Sequence, residues 1–362
     1  SGGGVQVAAS FLDELSKLIE DPEAVRRFPW LREGLTIEAS LAVLVNLNST
    51  AAERLCAKRE ERRWSDGSIW RHVRPQHDVS FTVFGPEYGR RRAARRVVGF
   101  ADATSLFPSP LRWRGIRAQG KALIRRRVSR RLLRGADHVV VEATHVRDAL
   151  VVRWGMSSTR MTVVPNTVNG VLCDPIPDRF DDSDALLLGY VTRAYAHKNL
   201  ALLGPIGREL RERHGLEAHF LLTLEDAEWS SLDDETRSFS ANVGPLTVHE
   251  LRAFYSRCTA SIFPSLLECF SVTPLEALAC GVPLVASDRP FVREIAQDAA
   301  WYFDPFSAVD AAATVAKMLN SGAELRERCA LGRSIARSWP TARDRALGYL
   351  EIIDAELSLI MA

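Results

Sequence analysis

Residues 259–287 read TASIFPSLLECFSVTPLEALACGVPLVAS. Ala260–Phe263 is a short apolar run that breaks at Pro264-Ser265, and Leu284–Ala286 is a second apolar run behind Gly281-Val282-Pro283. Between them a helix is expected from near Thr273. Strand, helix and strand in this order form a βαβ unit, which predicts a parallel sheet buried on both faces. Glu268 falls in the loop just past the carboxyl end of the first strand, and Glu276, eight residues on, in the first turn of the helix. An acid there suits the helix macrodipole, so Glu276 has a structural reason to be present. The N–H groups from Cys269 to Thr273 would also face out of a helix N-terminus, a place that can hold a diphosphate. The residues alone leave capping and ligand binding both open for this pair.

The alternation extends upstream. Leu186–Val191, a helical stretch through Leu210, and His219–Leu224 continue the series. Val79–Phe84, Val97–Phe100, Val139–Val141 and Met161–Val164 form another. Thr167–Ser183, rich in Pro, Asp and Asn and without periodicity, reads as a linker. The expected architecture is α/β, with two Rossmann-like doubly wound domains over 1–167 and 168–340 facing across a cleft. Ligands would bind there, beyond the carboxyl ends of the strands.

Composition agrees with this picture. Hydrophobic residues are 46% and charged residues 25% of 362, the balance of an ordinary globular chain long enough for two domains. The six cysteines include no C-x-x-C pair, which argues against a zinc knuckle or a disulfide framework and fits a reducing cytosol. No stretch approaches the roughly 18 apolar residues of a spanning helix, and no charged-then-apolar leader opens the chain. Neither a secreted nor an integral membrane protein is expected.

The net charge of +2 conceals an asymmetry. Residues 1–170 carry 29 Lys+Arg against 17 Asp+Glu, and residues 171–362 carry 18 against 28. Between Arg112 and Arg134 stand nine arginines and Lys121, with no acid; Arg90, Arg91, Arg92, Arg95 and Arg96 form a cluster just upstream. Leu123, Ile124, Val128 and Leu132 recur there at about one helical turn. Such a basic amphipathic helix suits an anionic membrane or an anionic acceptor, met by Arg117, Lys121, Arg125, Arg126, Arg127, Arg130, Arg131 and Arg134. A solvated face and a nucleic-acid patch are the alternatives. Nucleic acid is disfavoured, because Trp113 is the only aromatic interleaved.

Gly2, Gly3 and Gly4 precede a helical pattern at Ala8, Phe11, Leu12, Leu15, Leu18 and Ile19. Glycines at a helix start let backbone approach a phosphate, so Gly3 and Gly4 are candidate contacts. A phosphate loop of this kind normally follows a strand, and none precedes Ser1. A flexible tail is the other reading.

Glu268 and Glu276, with Phe263-Pro264-Ser265 before the first and Ala277–Pro283 after the second, resemble the Glu-x7-Glu pattern of retaining glycosyltransferases of the GT-B fold, glycosyltransferase family four (glycosyl transferases group one). Gly189–Asn199 (GYVTRAYAHKN) is similar to that family's strand, arginine, then Lys-Asn at a helix start. Met161–Asn166 resembles the strand closing its first domain, and Gly2–Val5 its glycine-rich loop. The resemblance spans nearly the whole chain and is specific over 160–305.

The resemblance implies an enzyme that moves a hexose from a UDP- or GDP-sugar to a hydroxyl of a lipid-linked or growing glycan. Arg193 and Lys198 would neutralise the diphosphate, Glu268 would hold hydroxyls of the donor sugar, and Glu276 the ribose hydroxyls. Lys198 is one of only five lysines in the chain. Main chain at Cys269, Phe270, Ser271, Val272 and Thr273 would touch sugar or phosphate, and Leu246 would pack on the base or in the core. No metal or cofactor is implied; Asp181-Asp182-Ser183-Asp184 reads as a solvated linker rather than a metal-binding Asp-x-Asp. The last helix (341–362) would return to the first domain. A cytoplasmic protein is implied, with attachment to the inner face of the plasma membrane as a further expectation.

Two departures stand out. Cys269-Phe270-Ser271 replaces the family's frequent Gly-Phe-Gly, so its donor preference does not carry over. The histidine that relatives present in the first domain is missing from Val97–Asp102; Asp102 is the nearest ionisable group, fit to orient an acceptor hydroxyl or to cap a helix. His77 is more readily structural than catalytic. The rival readings are a catalytically weak scaffold or binding protein and, behind it, a nucleotide-sugar epimerase.

Overall fold

A computed structural model describes residues 3–32, 34–35, 77–85, 93–107, 116–172 and 186–362, with the side chains of 3–5, 116–119 and 121 left out. The expectations for Arg90–Arg92, Arg112, Trp113 and Asp181–Asp184, and for the side chains of Arg117 and Lys121, lie outside the described residues.

The chain divides into two compact units. Unit 1 comprises Ser1–Leu106, Gly115–Asn166 and Pro340–Ala362; unit 2 comprises Phe107–Arg114 and Thr167–Trp339. In unit 1, α1 (Gly3–Leu18) and α2 (Pro22–Arg27) precede β1 (His77–Thr82), β2 (Ala93–Phe100), α3 (Ala103–Leu106), α4 (Ile116–Arg134), β3 (His138–Val141), α5 (Thr144–Trp154) and β4 (Met161–Val163). The four strands lie parallel in the order β1-β2-β3-β4.

Unit 2 runs β5 (Leu186–Tyr190), α6 (Leu203–His214), β6 (Ala218–Leu222), α7 (Asp226–Ser230), α8 (Asp234–Ser238) and β7 (Ser240–Asn242). It continues α9 (Val248–Arg257), β8 (Ala260–Phe263), α10 (Val272–Ala279), β9 (Leu284–Ser287), α11 (Pro290–Ala296), β10 (Ala300–Phe303), α12 (Ala308–Leu319) and α13 (Ala323–Ser338). The six parallel strands take the order β10-β9-β8-β5-β6-β7. That order reverses between β8 and β5, which makes the pair the switch point of a doubly wound sheet. β8 and β9 are buried at every position, as central strands covered by helices must be. Gly189 in β5 leaves no space for a side chain: a Cβ would stand 2.4 Å from Cys258 Sγ and 3.0 Å from the Phe254 ring. β7 and β10 were not among the strands expected from the sequence; β7 (Ser-Ala-Asn) has no apolar run to mark it.

The final helix, α14 (Ala342–Met361), belongs to unit 1 and lies against α1, β1 and β2. Tyr349 packs between Phe11 and Phe81, with ring centroids 5.1 and 4.9 Å away. Arg345, 2% exposed, donates to Asn166 Oδ1 and Ser10 Oγ. β2 begins earlier than the apolar run suggested and takes in Arg95 and Arg96. Arg95 pairs with the buried Glu356 at 2.6 Å, and Arg96 donates to the Gly135 carbonyl. These two arginines are therefore met inside unit 1, the outcome expected when a cation is drawn toward a sheet.

Candidate active site

The switch point assembles the residues singled out around Glu268. Thr192 and Arg193 follow β5, Thr223 follows β6, and Glu268 follows β8, all at carboxyl ends of neighbouring strands. Thr223 Oγ1 accepts from Thr192 N at 3.0 Å and donates to Thr192 O at 3.1 Å, which ties the two loops together. Asn199 adopts a left-handed conformation (φ 59°) that asparagine tolerates better than most residues. Its amide donates to the carbonyls of Pro264 (3.3 Å) and Pro305 (2.9 Å). Tyr190 O–H donates to the Lys198 carbonyl at 3.2 Å. The turn carrying Lys198 is thereby held against the loop carrying Glu268.

Lys198 Nζ lies 2.6 Å from Glu268 Oε1, and both side chains are only 13% exposed. Two charges this far out of water need each other and further hydrogen bonds to offset desolvation. Ser265 Oγ supplies one, 2.8 Å from Glu268 Oε1. Lys198 Nζ also stands 5.7 Å from the centre of the Phe263 ring. His197 Nε2 is 3.8 Å from the same Glu268 oxygen. Burial holds the His197 imidazole below its ordinary range and Lys198 adds to this, against the opposing pull of Glu268.

Glu276 lies in α10, whose described side chains are buried almost all round. Pro274 stands near the start of this helix, where a missing N–H costs nothing. Burial pushes the Glu276 carboxyl up to about 7, with the Tyr255 hydroxyl and the Lys198 charge opposing. Tyr255 O–H is 3.4 Å from Glu276 Oε2. Arg193 Nε donates to both oxygens of Glu228 (3.0 and 2.9 Å), and Nη2 lies 2.8 Å from Glu225 Oε1.

The other sequence candidates fall in several places. Cys269 and Ser271 are buried, and Phe270 is half-buried and tilted against Trp339, with ring centroids 6.1 Å apart. Val272 and Thr273 open α10; Ser271 caps it without a side-chain bond, and the N–H groups of its first turn have no partner within the helix. Leu246 is partly buried and packs on the unit 2 core. Asp102 lies in unit 1 and caps α3: it accepts from Thr104 Oγ1 (2.7 Å), Ser105 N (3.2 Å) and Ser105 Oγ, and pairs with Arg125 at 3.0 Å. Burial would raise its carboxyl, but Ser105, Thr104 and Arg125 outweigh that and hold it low. Gly3 and Gly4 form the first turn of α1 rather than a loop ahead of it.

Along α4 the expected apolar stripe splits. Leu123 (51%), Ile124 (64%) and Val128 (41%) are exposed, as are Arg127 and Arg131 on the same face. Leu133 and Ser129 turn inward instead. Arg130 and Arg134 donate to the Trp154 carbonyl, so these two and Arg125 have partners in unit 1; Arg126 is half-buried.

Sequence reasoning passed over His197, Glu225, Glu228, Ser265 and Tyr255. His197 was beside Lys198 in plain view. Glu225 and Glu228, three residues apart ahead of a short helix, carry the spacing of a capping box, which flags a helix start but not a bond to Arg193. Among the described residues, no group of three or more His, Cys, Asp or Glu could hold a metal ion, and no helix is long and apolar enough to cross a membrane.

Residues 240–331, which hold Glu268, Glu276 and the whole of α10, match the family described as glycosyl transferases group 1. The match takes in 92 of the 362 residues. The chain is 24% identical over 173 residues to the O-antigen chain mannosyltransferase RfbU of Salmonella typhimurium, covering 46% of this chain and 47% of that protein. It thus spans about half the length of that relative. Sucrose-phosphate synthase from Thermosynechococcus elongatus superposes with a TM-score of 0.60 at 19% identity, over 73% of this chain and 68% of the other. Anabaena Alr3699/HepE in complex with UDP superposes with a TM-score of 0.57 at 15% identity, over 72% of each. At such identities these likenesses concern the fold, and the fold is GT-B.

Proposed function

We propose that this protein is a glycosyltransferase that moves a hexose, with retention, from a nucleoside-diphosphate sugar to a hydroxyl of a lipid-linked or growing glycan. The observation that carries the reading is the meeting of Lys198 and Glu268, 2.6 Å apart at the β5/β8 switch point, with Arg193 on the same strand end. Lys198 and Arg193 neutralise the diphosphate as the bond from the anomeric carbon to its phosphate oxygen breaks and charge develops there. The first turn of α10 adds N–H donors and the positive end of its dipole. Glu268 takes hydroxyls of the donor sugar and Glu276 those of the ribose, by charge-assisted bonds. The acceptor oxygen bonds to the anomeric carbon on the face the diphosphate leaves, and its proton passes to the departing phosphate oxygen. These cations and helix N–H groups do the electrostatic work without a metal. UDP in HepE and the mannosyl transfer named for RfbU make UDP- and GDP-hexoses, GDP-mannose among them, the donors to try first.

A thermal-shift series of nucleoside diphosphates and their sugar conjugates, without divalent ions, tests the reading. A ligand at 100 times its Kd adds about 2.7 kcal/mol of apparent stability. Stabilisation by one base family, with slow release of free sugar and nucleoside diphosphate, is the expected result. Conversion of the donor to an epimer would replace the transferase with an epimerase, and neither event with a scaffold.

We also propose that the exposed face of α4 meets an anionic surface, placing the enzyme at the inner face of the cytoplasmic membrane, where lipid-linked glycans are presented. Leu123, Ile124 and Val128 can enter the headgroup layer while Arg127 and Arg131 meet the charge. At about 1 kcal/mol per arginine, Arg127→Gln with Arg131→Gln weakens sedimentation with phosphatidylglycerol vesicles roughly 30-fold. Equal sedimentation of both chains leaves α4 a solvated face.

A further inference from the structure

We propose that Glu228 is a positioning residue: it aims the Arg193 guanidinium at the donor's diphosphate, a role that rests on the donor-binding reading above. The carboxylate of Glu228 is held from three sides. Its Oε1 accepts from Ala194 N at 3.2 Å, its Oε2 from Glu225 N at 3.1 Å, and both accept from Arg193 Nε. It is thus anchored to the backbone beyond β5 and to the backbone entering α7 at once. A carboxylate fixed this way has little rotamer freedom left, and it fixes whatever guanidinium it binds.

Arginine has five N–H groups in a rigid planar fork. Nε is taken by Glu228, and Nη2 forms an ion pair with Glu225 Oε1 at 2.8 Å. Nη1 has no partner among the described residues, so that edge of the fork stays available for phosphate oxygens. The two acids differ in kind. Glu228 is 19% exposed and bonded to backbone, whereas Glu225 is 53% exposed. Glu228 therefore carries the alignment. Burial raises the Glu228 carboxyl, but the guanidinium and the two backbone N–H groups outweigh this, so it stays ionised at neutral pH. The rival is a restraint: two carboxylates around one cation repel an incoming anion, and Glu228 would then hold Arg193 back from the donor.

A double-mutant cycle on the full chain separates these, read as calorimetric affinity for UDP and for GDP. Glu228→Ala is expected to weaken binding about tenfold when Arg193 is present and less than twofold in the Arg193→Ala background, because its effect passes through that side chain. Equal losses in both backgrounds would mean that Glu228 merely supports α7, and would overturn the proposal. Unchanged or tighter binding in the presence of Arg193 would overturn it in favour of the restraint. Failure of the unsubstituted chain to bind either nucleotide would sink the donor-binding reading itself, and the proposal with it. Should the alanine chain not fold, the same cycle is run with Glu228→Met, which keeps the length of the side chain but has no carboxylate for Arg193 Nε.

Discussion

Glu268→Gln leaves the chain folded and lowers turnover of the sugar donor about 10²–10³-fold, the size of loss that follows removal of one oriented electrostatic contact. Glutamine keeps an acceptor for Ser265 Oγ and for Lys198 Nζ, so the local hydrogen bonds survive. What disappears is the negative charge that orients sugar hydroxyls and balances a lysine only 13% exposed. Glu268→Ala is the poorer test, since it also removes the acceptor shared by Ser265 Oγ and Lys198 Nζ and leaves both without that bond, a further stability cost of about 1–3 kcal/mol. The measurement is release of free sugar and nucleoside diphosphate from the donor, with melting temperature as the control for folding. Unaltered release from a folded Glu268→Gln chain would remove Glu268 from the site.

Glu276→Gln is expected to raise stability above pH 7 while weakening nucleotide binding. The folded carboxyl is pushed up to about 7 from 4.5, chiefly by burial. Between those pH values the folded chain keeps a proton that the unfolded chain releases, so stability falls as pH rises through that window. Above it the cost settles at about 3 kcal/mol, from 1.36 kcal/mol per unit. Glutamine removes the cost but brings an amide N–H that must be met, worth about 1–3 kcal/mol if it is not. The net gain at pH 8 is therefore about 1 kcal/mol, seen as a higher and flatter melting temperature against pH.

Binding runs the other way. On the proposed reading ribose hydroxyls donate to the ionised carboxylate, so nucleotide affinity is expected to rise about tenfold from pH 6 to pH 8 in the unsubstituted chain. In the glutamine chain that part of the pH dependence is lost. The nucleotide's own phosphate titrates nearby, so the difference between the two chains is the quantity to read. A pH dependence shared by both would exclude Glu276 from the ribose contact. An acid kept in the core at a cost to stability is the usual mark of a site that trades stability for binding.

Much of this protein was legible in the order of its residues. The apolar runs Ala260–Phe263 and Leu284–Ala286 are neighbouring strands of one buried sheet, because parallel strands covered on both faces are largely apolar. The places of Glu268 after a strand and of Glu276 in a helix were readable from the residues, whereas the roles of Arg193, Lys198, Glu268 and Glu276 rested on the family resemblance; Glu276 lies past the first turn of α10 rather than in it. A strand without an apolar run was not legible: Ser240–Asn242 pairs with β6 although nothing in its three residues favours a strand over a turn.

Partnership is what the tertiary structure alone decided. No spacing rule connects Arg193 to Glu228 across 35 residues, or Arg95 to Glu356 across 261, because such pairs depend on which strands become neighbours. The sequence by itself determined the alternation of strands and helices and the residue types at their ends. The strand order, with its reversal between β8 and β5, determined which of those ends meet, and so turned a scattered set of charges into a site. Local propensity acts over a few residues, whereas the meeting of β5 with β8 is settled by burying the apolar faces of the whole sheet.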